Sequence, residues 1–286
     1  MERFRLRGLS LSGVAALVED TDLDAAALLA ATDGNPFLVR QMANTEGETI
    51  PSSVQDLVLG SMRKLSPESR DLLRTLSVIP ERIEWREILR LTGGVDSLLS
   101  ECERRDLLNV GDDFVAFRHE LTRRAVEATL SKSDRNTINR SVLAGLPPET
   151  DPARLVHHAR EANDIVRLLE LAPRAARAAA ALGSHREAVD HFRQLVPILE
   201  RVGSDTKGAI LEEWASEEFL LDNMSEALEL NELAIRHYSN IGDPGAESRA
   251  LCQAARHYEA GGQRSRAEEL ARRALVVLGP DPDGPD

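Results

Sequence analysis

Apolar residues recur three and four positions apart along most of this chain, the spacing of helices that bury one face. After a short apolar run, Val14, Leu17 and Val18 mark a first helix, and Ala25 to Ala31 a second. Asp33-Gly34-Asn35-Pro36 then combines a residue suited to positive φ with a proline that fixes φ and removes a donor. The helix must stop there and a third start near Phe37, anchored by Phe37, Leu38 and Met42.

From Pro51 to about Leu146 the pattern predicts four short helices, a hairpin and a closing helix. Ser52 or Ser53 caps a helix with Val54, Leu57, Val58 and Met62 on one face, and Ser66-Pro67 opens another carrying Leu72, Leu73, Leu76 and Ile79. Shorter helices run from about Trp85 to Leu91 and from Val95 to Arg104. The extended runs Leu107 to Val110 and Phe114 to Phe117 flank Gly111-Asp112-Asp113, which is hairpin chemistry. Helices followed by one small hairpin predict a winged-helix arrangement.

Beyond Asp151 the helices repeat. Gly183-Ser184-His185-Arg186-Glu187-Ala188, Asp222-Asn223-Met224-Ser225-Glu226-Ala227 and Gly262-Gln263-Arg264-Ser265-Arg266-Ala267 each give a turn, a helix start and an alanine in the same place. Ala215, Ala227 and Ala234 correspond to Ala255, Ala267 and Ala274. These are the small-residue positions of a tetratricopeptide repeat, where alanine lets helices approach closely. The units lie about forty residues apart against the usual 34, and Leu195 stands where the first unit should have alanine, so the repeats are divergent.

The expected fold class is mainly α: a small helical module over residues 1–50, a winged-helix domain with one β-hairpin over 51–146, and a tetratricopeptide-like α–α superhelix over 147–279. Residues 280–286, rich in proline, glycine and aspartate, read as a flexible tail. Aromatics make up only 3% of the chain against 42% hydrophobic residues, a composition that suits close helix packing.

No stretch approaches the roughly 18 apolar residues of a membrane span, and the first residues lack the apolar core of a signal peptide, so the expectation is a cytoplasmic protein. A formal charge of −13 argues against direct nucleic-acid binding, which draws on Lys and Arg to neutralise phosphates. Cys102 and Cys252 lie in helical patterns and read as small buried thiols with no disulfide between them.

Catalytic chemistry finds little support. No lysine follows a glycine, so the phosphate loop ending in Gly-Lys-Ser/Thr is absent. His119-Glu120-Leu121-Thr122-Arg123 puts a cation where a zinc-protease helix needs its second histidine. Gly8-Leu9-Ser10-Leu11-Ser12-Gly13 misses the nucleophile elbow by one residue. His157, His158, His185 and His191 lack the spacing of a metal site and read as solvated or capping histidines. The expectation is no enzyme activity, no metal and no cofactor held by this chain alone.

Two constellations remain. Gly34-Asn35-Pro36-Phe37 places a rigid ring and an aromatic at a helix start, and Phe117 to Ala125 places Arg118 and His119 where the hairpin enters a helix, in reach of an anion held by free amides. Each also has a plain structural account, with Pro36 as a helix starter and His119 as a half-buried cap.

Gly34-Asn35-Pro36-Phe37-Leu38-Val39, Ile50-Pro51-Ser52-Ser53-Val54 and Phe117-Arg118-His119-Glu120-Leu121, followed by helical repeats, together resemble the signal-transduction ATPases with numerous domains (STAND proteins), in particular the large LuxR-type and MalT-like bacterial transcriptional regulators. The resemblance implies a nucleotide-binding core followed by a Gly-x-Pro helical module, a winged helix and a repeat arm that senses an inducer or holds an inhibitor. It assigns ATP or ADP contacts to Pro36 at the adenine and to His119, with Arg118, at the phosphates, provided that core is present in cis or in trans. The partners it implies are a protein or small-molecule inducer on the arm, and homo-oligomerisation after nucleotide exchange, with no membrane. The phosphate-binding core and the C-terminal helix-turn-helix of the family are not found in this sequence, so it resembles the middle and arm of such a regulator. A stand-alone adaptor scaffold, with the front half capping the repeats, is the alternative.

Overall fold

The computed structural model describes residues 8–279, apart from 20, 22, 44–51, 81, 93–95 and 202–203. It divides into two compact units, residues 1–148 and 149–286. The expected tail at 280–286 and the expected junction at residue 50 lie outside the described residues.

The first unit opens with α1 (Leu11–Leu17), α2 (Ala25–Thr32) and α3 (Pro36–Ala43). Each begins where a polar side chain takes up an amide that the first turn leaves free. Ser10 Oγ accepts from Gly13 N at 3.3 Å, Asp24 Oδ1 from Ala26 N at 2.9 Å and Asn35 Oδ1 from Phe37 N at 3.0 Å. Val14, Val18, Leu28 and Val39 form the shared core. The breaker works as its residues predict: Asp33 (φ 49°) and Gly34 (φ 66°) leave α2 through the left-handed region, and Pro36 opens α3.

The unit continues with α4 (Ser52–Met62), α5 (Pro67–Ser77), β1 (Arg82–Glu84), α6 (Trp85–Thr92), α7 (Asp96–Arg104), β2 (Leu108–Val110), β3 (Phe114–Phe117), α8 (Glu120–Glu127) and α9 (Lys132–Gly145). The hairpin closes at Gly111, whose N–H donates to Phe114 O at 2.8 Å. Two expectations need correction. β1 adds a third strand, so the sheet runs β1-β3-β2, all antiparallel, with Val115 opposite both Ile83 and Val110. Ile83 is the only buried residue of this three-residue strand, too short for an alternating pattern to show. The single closing helix is in fact α8 and α9, because Ser131 caps a new helix through Asp134 N at 3.1 Å.

One carboxylate ties this unit together. Glu101 on α7 accepts from Ser66 N (3.0 Å), Ser66 Oγ (2.7 Å) and Ser69 Oγ (2.6 Å) at the start of α5. The bonds from Ser69 and Ser66 hold its pKa down at about 2. Nearby Cys102 is buried and its thiol is pushed up to about 12, mainly by desolvation, whereas Cys252 is exposed, contrary to the buried thiol expected there.

The second unit contains α10 (Pro152–Glu161), α11 (Ile165–Ala181), α12 (His185–Arg193), a 3₁₀ segment (Val196–Arg201), α13 (Ser204–Leu220), α14 (Met224–Ile241), α15 (Pro244–Ala260) and α16 (Arg264–Leu278). Its turns explain the repeat. Asn163, Gly183, Asp222 and Gly262 all take positive φ, between 51° and 77°. The following residue donates in each case to the carbonyl five positions back: Asp164 to Ala159, Ser184 to Ala179, Asn223 to Glu218 and Gln263 to Tyr258. This is the Schellman closure, and Gly242 (φ 71°) repeats it between α14 and α15, where Asp243 donates to Tyr238 O. Three of these turns were legible as repeats; the one at Asn163 was not, because Leu168 stands five residues on, where the others have Ala188, Ala227 and Ala267.

Ala215, Ala227, Ala234, Ala255, Ala267 and Ala274 are all buried, as the close approach of the helices requires. Leu195 departs from the pattern because α12 ends at Arg193, before Val196-Pro197. A proline disfavours helical geometry in the residue before it, so the helix stops short and Leu195 packs from the turn instead.

His158 and His191 are buried, at 0% and 7% exposure, and so are neither solvated nor capping. Burial first, then His157 and Arg154, push the pKa of His158 down to about 3, and burial lowers His191 and His257 as well. The unfolded chain therefore takes up protons that the fold refuses, and stability is lost as pH falls through the unfolded histidine value of about 6.5 toward 3. Thermal unfolding should show a midpoint clearly lower at pH 5 than at pH 7, with a smaller drop in His158→Gln. An unchanged midpoint across that interval would contradict the burial of these imidazoles.

Candidate functional site

Pro36, Arg118 and His119 all fall in the first unit, and the fold brings the turn before Pro36 toward His119. α2 packs against α8. The carboxylate of Asp33, in the turn before Pro36, is near enough to His119 to favour its protonated form. Burial outweighs that effect, so the imidazole of His119 titrates below its ordinary value.

His119 stands at the N-cap position of α8, and its backbone carbonyl accepts from Thr122 N at 2.9 Å, but its side chain makes no capping bond. Its Nδ1 is buried and has no hydrogen-bond partner among the described residues. The account of His119 as a side-chain cap is thereby corrected. A buried imidazole nitrogen without a partner costs stability. His119→Leu should therefore leave the thermal midpoint unchanged or raise it slightly, as at a position kept for binding. A fall of several degrees would show that the ring is structural.

Arg118 is exposed and donates to Asp106 Oδ1 at 2.9 Å. Asp106 itself has positive φ (58°), and Arg118 N donates to Leu107 O at 3.0 Å, so the chain entering α8 is tied to the end of α7. To meet an anion, Arg118 would exchange an exposed pairing, a small cost.

Pro36 and Phe37 are exposed on α3. With Leu9, Ala16, Leu17 and Arg40 they line an open groove of about 500 Å³. An exposed proline ring and a 45% exposed phenylalanine make this a surface fit for a flat apolar group.

Arg123, which stands where a zinc helix would need histidine, holds structure. Its guanidinium bonds Glu120, Glu127 and the carbonyl of Ser77 at the end of α5. Among the described residues no cluster of three or more His, Cys, Asp or Glu side chains could hold a metal ion. No helix among them is long and apolar enough to cross a membrane.

In the second unit, polar contacts between the first helices of successive hairpins form a ladder that sequence reasoning missed. Arg177 on α11 donates to Glu213 on α13 at 2.8 and 2.9 Å. Arg249 on α15 donates to Glu212 at 3.1 and 2.9 Å, and Gln253 donates to Glu212 O and Ser216 Oγ. Tyr238 O–H joins Glu212 at 2.6 Å, and burial with that bond raises its pKa. Both rungs pair arginine with glutamate, but Arg177 precedes its acid in the chain and Arg249 follows it, so no fixed spacing signals them.

No protein-family model matches the chain, and no curated protein is significantly similar to it in sequence. Among solved structures it is similar to a Signal Transduction ATPase with Numerous Domains protein with a tetratricopeptide repeat sensor from Pyrococcus horikoshii, at 17% identity and a TM-score of 0.38, over 96% of this chain. The chain spans about half, 54%, of that protein's length. It is also similar to a putative kinesin light chain with nearly identical TPR-like repeats from Podosopora anserina (18% identity, 74% of this chain and 96% of that one, TM-score 0.36). BtubC from P. vanneervenii is a further similar structure (12% identity, 82% and 96%, TM-score 0.35).

Proposed function

We propose that this chain is the regulatory, signal-sensing part of a LuxR-type STAND transcriptional regulator. The first unit is its Gly-x-Pro module and winged helix, and the stacked hairpins receive a protein partner or a small inducer. The observation that carries this reading is the approach of Asp33, in the turn before Pro36, to His119, whose buried Nδ1 has no hydrogen-bond partner among the described residues. A purely structural helix starter and cap need not be neighbours; two contacts to one nucleotide must be.

The chain supplies secondary contacts only. Pro36 offers an apolar ring, and His119 with Arg118 offers donors to an anion, while the phosphate-holding amides and lysine come from a separate core. The chain performs no catalysis, does not bind nucleic acid and functions in the cytoplasm. Homo-oligomerisation follows release of the packed form.

The adaptor reading draws on a different observation: the second unit has its own buried alanine core and its own polar ladder, so a scaffold needs nothing from the first. The coding sequence upstream of Met1 separates the two. A reading frame in phase that encodes a Gly-Lys-Ser/Thr loop supports the regulator; a stop codon close upstream of Met1 supports the adaptor.

A further inference from the structure

The matched alanines set Trp214 and Ala254 at the same place in successive repeats, one residue before Ala215 and Ala255. In the earlier repeat that place is full. Trp214 is 7% exposed, its ring stacks on Phe192 of α12 with centroids 6.3 Å apart, and its Nε1 donates to Glu218 at 3.0 Å. In the later repeat Ala254 vacates it, and a groove of about 210 Å³ opens among α14, α15 and α16. Ile235, Ala254 and Leu270, all buried residues, line it. A cavity of roughly 150 Å³ suffices to take up benzene, so an aromatic side chain fits.

The rim is charged. Arg266 bonds Glu269 at 2.7 Å and Arg273 bonds Glu247 at 2.8 Å, while Arg236 makes no hydrogen bond or ion pair among the described residues. Glu232, one turn before Arg236, is the acid on that rim and disfavours an anion on its own side. Three guanidinium groups around an apolar floor, one of them uncommitted, complement a carboxylate placed beside an apolar group.

The geometry points to this groove as the seat of an aromatic side chain from a partner peptide, with an acidic residue next to the aromatic. The inference rests on the partner-binding part of the proposed function and names the chemistry of the partner. The chain itself shows the occupied state, one repeat earlier, in Trp214 with its acidic neighbour Glu218.

Isothermal titration of the full chain with acetyl-Asp-Trp-Asp-amide and acetyl-Lys-Trp-Lys-amide tests it. The acidic peptide should bind saturably and about tenfold more tightly than the basic one, the effect of roughly one charge-assisted contact. Ala254→Trp fills the groove as Trp214 fills its own and should abolish binding, with some loss of thermal midpoint because Ala254 is buried. Arg236→Glu, an exposed change that leaves the fold intact, should weaken the acidic peptide about tenfold and narrow the preference. No saturable binding, equal binding of both peptides, or full binding by either variant would overturn the assignment. Such a failure leaves the nucleotide role of Pro36 and His119 standing, since neither residue is in this unit.

Discussion

Gly34→Ala should unfold the first three helices from the rest of the chain, at a cost of about 3–4 kcal/mol. Gly34 sits at φ 66°, where a Cβ is strained, and an added Cβ would strike the backbone of Leu9, whose N–H donates to Gly34 O at 2.7 Å. A facing backbone cannot turn aside as a side chain can, so either that bond breaks or the turn opens. Gly8 meets the carbonyl of Asp33 in the same way, which shows that the contact is tight from both sides. Hydrogen exchange separates this from ordinary loss of a cap: Asn35→Ala removes one acceptor and costs about 1 kcal/mol, whereas Gly34→Ala should expose amides throughout α1, α2 and α3. Equal protection in the two variants would contradict the steric account.

Glu218→Ala should be the most damaging single truncation in the second unit. The carboxylate is 1% exposed and receives three donors: Trp214 Nε1 at 3.0 Å, Asn223 Nδ2 at 2.6 Å and Arg193 Nη2 at 3.0 Å. It joins α12, α13 and the turn into α14. Removing it leaves a buried indole N–H and an amide without an acceptor and frees an arginine, for a loss of about 3–5 kcal/mol. Glu218→Gln keeps the shape and one acceptor oxygen, and should cost about 1–2 kcal/mol. Urea unfolding followed by circular dichroism measures both, and a loss under about 1 kcal/mol for Glu218→Ala would show that the three donors find other partners.

Much of the fold was legible because the elements obey local rules. The stop at Asp33-Gly34-Asn35-Pro36, the hairpin at Gly111-Asp112-Asp113 and the alanine register each depend on one residue type that only a few conformations suit. What was not legible depended on partners far away. β1 exists because β3 pairs with it, and its own sequence, Arg82-Ile83-Glu84, carries a single apolar residue. α11 runs through Pro173, a residue that ends helices when tertiary packing does not hold them; here Pro173 is buried in a helix packed against both α10 and α12.

The same division holds at the candidate site. Pro36, Arg118 and His119 stood out by type, yet no spacing along the chain shows that Asp33 approaches His119, or that Arg118 is engaged by Asp106. Taken by itself, His119 read as a half-buried cap until the structure left its Nδ1 without a partner among the described residues. The groove at Ala254 was hidden for a different reason: a small residue in a core position looks ordinary until the matching Trp214 is laid beside it.

A nucleotide titration reaches the central claim most directly. Calorimetry of ADP against this chain alone, and against the chain joined to a phosphate-loop core encoded in phase upstream, should show tight binding only in the joined protein, weakened by His119→Ala. Submicromolar binding to the chain alone, or an affinity in the joined protein indifferent to His119, would contradict the assignment of Pro36 and His119 as supporting contacts to a nucleotide held elsewhere.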